Sequence, residues 1–190
     1  MDQTYKHLTD EELTSMVQKG NEEVFGELMD RYTEKLFRYG RRFLSSPENI
    51  EDIVQDVFIK TYQKIQSFDS TRKFSSWIYR IAHNAFVNAL RDRAKEPLIS
   101  FDFDALISHT AYEDPTQQRK DDDEMRVLLK KGVQNLTPLY REVVTLYYFE
   151  DLDYQEISDI LEIPIGTVGI RLSRARALLK KDLSINNTNE

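Results

Sequence analysis

The sequence predicts an all-α protein: two small helical domains joined by a flexible linker. Three observations carry that expectation. Apolar residues recur three and four apart over residues 8–96 and again over 124–183, the period of an amphipathic helix. No β-hairpin signal occurs in the chain. Between 97 and 123 the periodicity is lost in a stretch with Pro97, Pro115 and many aspartates.

The first domain reads as four helices. Thr9 and Glu12 have the spacing of a capping box ahead of Leu13, Met16 and Val17, so a helix starts there. Asn21 is the expected cap of a second helix, with Val24, Phe25, Leu28, Met29, Tyr32, Leu36, Phe37 and Phe43 at helical spacing. Ser45-Ser46-Pro47-Glu48 breaks that helix and starts a third, whose apolar stripe is Ile53, Val54, Val57, Phe58, Thr61 and Ile65. Residues 69–73 form a polar loop. The fourth helix turns Trp77, Ile78, Ile81, Ala82, Ala85 and Phe86 to the core. Pro97 cannot continue it, since proline lacks the N–H that a helix interior needs.

Residues 97–123 are the linker, with partial order expected around 101–107. Asp121-Asp122-Asp123-Glu124 could in principle hold a metal. Acids at the start of the next helix are the better reading, because they offset its dipole. The second domain, 124–183, then reads as four helices. One runs from Met125 to Val133. Another starts at Thr137-Pro138, with Thr137 as cap and Pro138 at the first helical position. Tyr154–Leu161 and Pro164–Leu183 follow, separated by a break at Ile163-Pro164.

Composition narrows the function. Cysteine is absent, which removes disulfides and thiolate metal sites and agrees with a reducing compartment. The N-terminal residues show no basic-then-apolar leader, and no apolar run reaches membrane-spanning length, so a cytoplasmic location is expected. His7, His83 and His109 have no ligand spacing, and no catalytic constellation, glycine-rich phosphate loop or repeat occurs. No enzyme activity, cofactor, metal or small-molecule substrate is expected. The net charge of -7 argues against nucleic acid until its distribution is considered. Residues 60–95 hold eight basic against two acidic residues, and 166–181 hold five basic and none acidic. A local basic face, rather than net charge, is the footprint of phosphate binding.

Tyr154 to Arg176 has the spacing of a helix-turn-helix, whose second helix fits a DNA major groove. At 100° per residue, Val168, Leu172, Ala175 and Leu179 share one face and should pack on Ile157, Ile160 and Leu161. Gly166, Ile170, Ser173 and Arg174 face outward, flanked by Thr167 and Gly169. Arg174 can reach a guanine edge and Ile170 a thymine methyl. Arg171 and Arg176 lie nearer the core boundary and suit phosphates, as do Thr167 and the helix start. The competing reading is a helical hairpin with solvated arginines.

A second candidate site spans Ser67 to Lys95. Arg80, Asn84, Asn88, Arg91 and Arg93 follow the polar loop, interleaved with Phe68, Phe74, Trp77 and Tyr79. Rings that hold a base, amides that read its edge and arginines that follow the backbone make a kit for unstacked bases. The alternative for Trp77 and Phe74 is plain core packing. Two asparagines four apart are harder to dismiss, because asparagine is a poor helix-interior residue.

These residues carry a resemblance. Glu51-Asp52-Ile53-Val54-Gln55-Asp56-Val57-Phe58, Phe74-Ser75-Ser76-Trp77-Ile78-Tyr79-Arg80-Ile81-Ala82, and Tyr154-Gln155-Glu156-Ile157 with Gly166-Thr167-Val168 and Arg171 to Arg176 resemble the extracytoplasmic-function (ECF) sigma factors of the sigma-70 family. The resemblance implies sigma region 2 over 8–96, for polymerase docking and for recognition and melting of the -10 element. It implies sigma region 4 over 124–183, for the -35 element. Core RNA polymerase, promoter DNA and an anti-sigma factor are the implied partners. By position, Asp52, Gln55 and Asp56 are similar to the polymerase-docking surface. Phe68, Asn84 and the 69–73 loop resemble the pocket for a flipped base, Lys60 and Arg80 match nearby strand contacts, and 169, 170, 173 and 174 match the readers of duplex DNA.

The chain departs from the family pattern at Gly169, where a basic residue is common, at Ile170, where serine or threonine is, and at Asn88, where aspartate is frequent. A contact made by the usual cation is therefore missing. The alternative function is a helix-turn-helix regulator that acts without polymerase docking. The base-capture kit and the lack of an evident ligand domain argue against it.

Overall fold

The computed structural model describes residues 5–93, 132–133 and 136–186. Among these, the elements are seven α-helices and two 3-10 turns, with no strand. The chain divides into two compact units, 1–102 and 103–190. The expected linker and residues 125–131 of the expected Met125–Val133 helix lie outside the described residues.

The first unit holds α1 (Asp10–Gln18), α2 (Phe25–Gly40), α3 (Pro47–Lys64) and α4 (Phe74–Arg93). Helix α1 starts at the expected capping box, in which Thr9 and Glu12 each bond the other's backbone N–H, at 3.2 and 2.7 Å. Ser46 caps α3 by accepting from the Asn49 N–H at 3.3 Å, and Pro47 takes the first position. Asn21 does not cap α2 with its side chain: a 3-10 turn over Glu22–Val24 comes first, and α2 begins at Phe25. Helices α1, α3 and α4 pack together with α2. Leu13, Leu28, Leu36, Ile50, Ile78 and Phe86 are fully buried between them. Tyr39, which the periodicity passes over, is buried as well; its hydroxyl meets His83 Nδ1 at 2.9 Å. Burial holds the His83 imidazole below its usual pKa, because the apolar setting disfavours the charged ring.

The second unit holds α5 (Pro138–Tyr148), α6 (Tyr154–Leu161) and α7 (Ile165–Asn186). Thr137 sits at the cap position of α5 but makes no capping bond with its side chain. Asp153 and Glu156 form a second capping box, at 2.8 and 2.9 Å, which starts α6. Its spacing was legible in the sequence. Helix α6 ends on Glu162 in the left-handed region, φ 53°, a position that usually favours glycine. Ser158 Oγ donates to the Ile163 carbonyl at 2.6 Å and so ties down the turn before Pro164.

Candidate nucleic-acid interface

The helix expected to read duplex DNA is α7. Val168, Leu172, Ala175 and Leu179 are at most 1% exposed, so the apolar stripe is buried as its spacing requires. It packs on α5 and α6, where Ile157 and Ile160 are buried and Leu161 is half-buried. Gly166, Ile170, Ser173 and Arg174 are exposed, and Thr167, Gly169 and Arg171 are half-buried at the flanks. Ile170 is 55% exposed. A branched apolar side chain left in water at the centre of that face fits contact with a thymine methyl.

Arg176 of α7 reaches across to α5. Arg176 Nε donates to the Tyr148 hydroxyl at 2.7 Å, and its guanidinium lies 5.7 Å from the Tyr147 and Tyr148 ring centres. Arg176, half-buried, thereby forms a seam between α5 and α7. Arg171 lies near Glu142 of α5. Burial raises the Glu142 pKa, and the Arg171 charge pulls it back.

On the first unit, Arg80, Asn84 and Asn88 follow one another at intervals of four on α4, so they share a face. Arg80 is half-buried, and both asparagines are exposed. Ile78, Ala82 and Phe86 are fully buried on the other side. The preceding loop is shaped by Asp69, whose Oδ1 accepts from the Thr71 N–H at 3.0 Å and the Thr71 hydroxyl at 2.7 Å. Those two bonds hold the Asp69 carboxyl below its usual range, because both donate to its charged form.

Phe68 needs correction. It is only 7% exposed, with its ring 4.9 Å from Trp77 and 5.8 Å from Phe74 between centres. Its ring is turned into the core, with little of it open to solvent. It is the floor on which the half-buried Trp77 rests. Core packing, the bland alternative for Phe74, holds outright, since Phe74 is fully buried.

Helix α3 presents Asp52, Gln55, Asp56 and Lys60 to solvent, opposite the buried Val54, Val57, Phe58 and Thr61. Ile59 stands among the exposed residues at 54% exposure. Sequence reasoning passed over it because it follows Phe58 and falls outside the apolar stripe.

Comparison with known proteins bears on both units. Residues 28–96 match the Sigma-70 region 2 family model, and 126–179 match that of Sigma-70 region 4. The ECF RNA polymerase sigma factor SigW of Bacillus subtilis is 34% identical over 173 residues, which span 88% of this chain and 92% of that protein. The chain belongs to the ECF RNA polymerase sigma factors. Two solved structures share the fold of this sigma factor. CnrH, solved with the cytosolic domain of CnrY, has a TM-score of 0.66 and 23% identity over 93% of this chain and 97% of that one. The sigma factor RpoE, solved with the anti-sigma factor NepR from Bartonella quintana, has a TM-score of 0.59 and 23% identity over 85% and 97%. The region 2 match takes in the α3 surface, the loop and α4 of this sigma factor. The region 4 match takes in α5, α6 and the outward face of α7. Among its described residues, no helix is long and apolar enough to cross a membrane, and no group of metal-binding side chains occurs.

Proposed function

We propose that this ECF sigma factor, which directs core RNA polymerase to promoters and initiates strand opening, divides that work between a region 2 domain over 8–96 and a region 4 domain over 124–183, with 97–123 as linker. It works in the cytoplasm and performs no chemistry itself; the polymerase does. The observation that carries this division is the pair of outward faces on separate units: half-buried Arg80 with exposed Asn84 and Asn88 on α4, and exposed Ile170, Ser173 and Arg174 on α7. The first pairs amides with arginine beside a loop, which suits an unpaired base. The second has the form of a major-groove reader.

In this reading the α3 surface of Asp52, Gln55 and Asp56 docks on the polymerase. Lys60 and Arg80 steady the strand, and Asn84 receives a base that has left the stack. Capture offsets an unstacking cost of a few kcal/mol. Two moderate grips joined by a linker raise effective concentration, so neither must be tight alone. An anti-sigma protein that covered either face would silence the factor.

The direct test is transcription from genomic DNA by core polymerase with and without the protein, followed by sequencing of transcript 5′ ends. Start sites that share two upstream elements are expected. Polymerase binding without promoter-specific transcripts would make the chain a decoy instead.

Two expectations concern α7. Arg174→Ala should weaken -35 duplex binding by roughly 1–3 kcal/mol, with the loss confined to one base pair. Binding to a set of single-substitution duplexes checks this; equal loss on every duplex would make Arg174 a phosphate contact. Gly169→Arg should tighten promoter binding and steepen its salt dependence by about one counterion. There is room for it: a Cβ at 169 would meet only Tyr154 Cε2, at 3.6 Å, an ordinary contact. An unchanged salt slope would show that position 169 stays clear of the phosphates.

A further inference from the structure

Helix α1 precedes the stretch matched to region 2, which begins at residue 28, yet it holds both ends of the 69–73 loop. At the entry, Gln18 Nε2 donates to the Ile65 carbonyl at 2.7 Å and to the Phe68 carbonyl at 2.9 Å. Gln66 Nε2 donates back to the Gln18 carbonyl at 3.3 Å. At the exit, Glu11 Oε1 accepts from the backbone N–H of Phe74 at 2.9 Å, the first residue of α4. The N–H groups at a helix start and the carbonyls at a helix end have no partner within the helix. Here a third element supplies partners for both, on either side of five exposed residues. Gln18 and Glu11 lie seven positions apart, two turns of α1, so a single rigid rod spaces the two anchor points.

We infer that Gln18 and Glu11 are positioning residues for promoter opening: α1 braces the 69–73 loop at entry and exit and fixes it at the start of α4, the helix that carries Asn84, before DNA arrives. This rests on the reading of the loop and Asn84 as the site of base capture. A loop ordered during folding costs no further ordering entropy when it closes on a base. Neither side chain need touch DNA.

The chemistry of each contact chooses the variants. Gln18→Glu keeps the shape but turns a donor into an oxygen that faces two carbonyl oxygens. Glu11→Ala removes the acceptor, whereas Glu11→Gln retains an amide oxygen that can still accept from Phe74. The assay is run-off transcription with core polymerase on a promoter recovered by transcript sequencing, as duplex and as a premelted bubble. A polymerase pull-down and a thermal melt accompany it. Gln18→Glu and Glu11→Ala should lose about tenfold or more on duplex, the scale of a lost part-buried hydrogen bond. They should stay near wild type on the bubble and in the pull-down, and Glu11→Gln should be near wild type throughout. If Gln18→Glu lowers the melting midpoint, the Glu11 pair decides. Full duplex activity in Glu11→Ala, or equal loss on duplex and bubble, overturns the brace. Base capture fails separately: wild-type activity on duplex that is indifferent to Asn84→Ala overturns that reading, whatever the α1 variants do.

Discussion

Asn84→Ala is expected to abolish transcription from duplex promoters while polymerase binding stays at the wild-type level. Asn84 is exposed midway along α4, one turn from both Arg80 and Asn88. An amide can donate to and accept from a single base edge, and a base that has left its pair needs such a partner. A good bidentate contact is worth about 1–3 kcal/mol, comparable to the unstacking cost that capture must offset. Alanine is the better helix former, so α4 should be no less stable in the variant, and loss of activity cannot be put down to unfolding. In the proposed reading, polymerase docking rests on α3, around the exposed Asp52 and Asp56. A premelted bubble should partly restore the variant, since the opening cost is already met. Run-off transcription on both templates with a pull-down checks this. Normal duplex activity, or a parallel loss of polymerase binding, would remove Asn84 from base capture.

Gly40→Ala is expected to destabilise the first unit by about 2 kcal/mol, the middle of the range for an overpacked core. Gly40 is the last residue of α2 and is buried. A Cβ there would lie 2.5 Å from Phe86 Cζ and 2.7 Å from Ile50 Cγ2, and both of those side chains are fully buried. Helix propensity favours alanine by roughly 1 kcal/mol, which the overlap must exceed. Gly26→Ala in the same helix is the control: its Cβ would meet nothing within 4 Å, so it should be neutral or slightly stabilising. Chemical denaturation of both variants measures the difference. Equal midpoints would show that Phe86 and Ile50 can yield, and that the three-helix contact is looser than its distances imply. Against a typical total of 5–15 kcal/mol, the expected loss is large for one methyl group.

Much of the site was legible because its signals are local. The faces of α7 follow from 100° per residue, and each of the four residues expected to be buried is buried. The Thr9–Glu12 box and the Ser46-Pro47 start involve residues three apart or fewer. The spacing of Arg80, Asn84 and Asn88 needs nothing beyond the helical period. Local signals were weaker where a cap depends on backbone geometry as well as residue type: Asn21 and Thr137 have suitable side chains, yet neither makes a capping bond.

By itself, then, the sequence determined the all-α class, the helices of the proposed site and which face of each turns outward, since these depend on neighbours within a turn or two. Only the tertiary structure decided what each buried or half-buried side chain meets. Phe68 belongs to the core because Phe74 and Trp77 close over it. Arg176 ties α7 to α5 because Tyr148, 28 residues earlier, takes its Nε. Gly40 has no room for a methyl because Phe86 reaches it from another helix. The brace on the 69–73 loop joins residues 50 and 63 positions apart. Periodicity tells which side of a helix is covered but carries no information about which side chain covers it; that pairing exists only once the helices have packed.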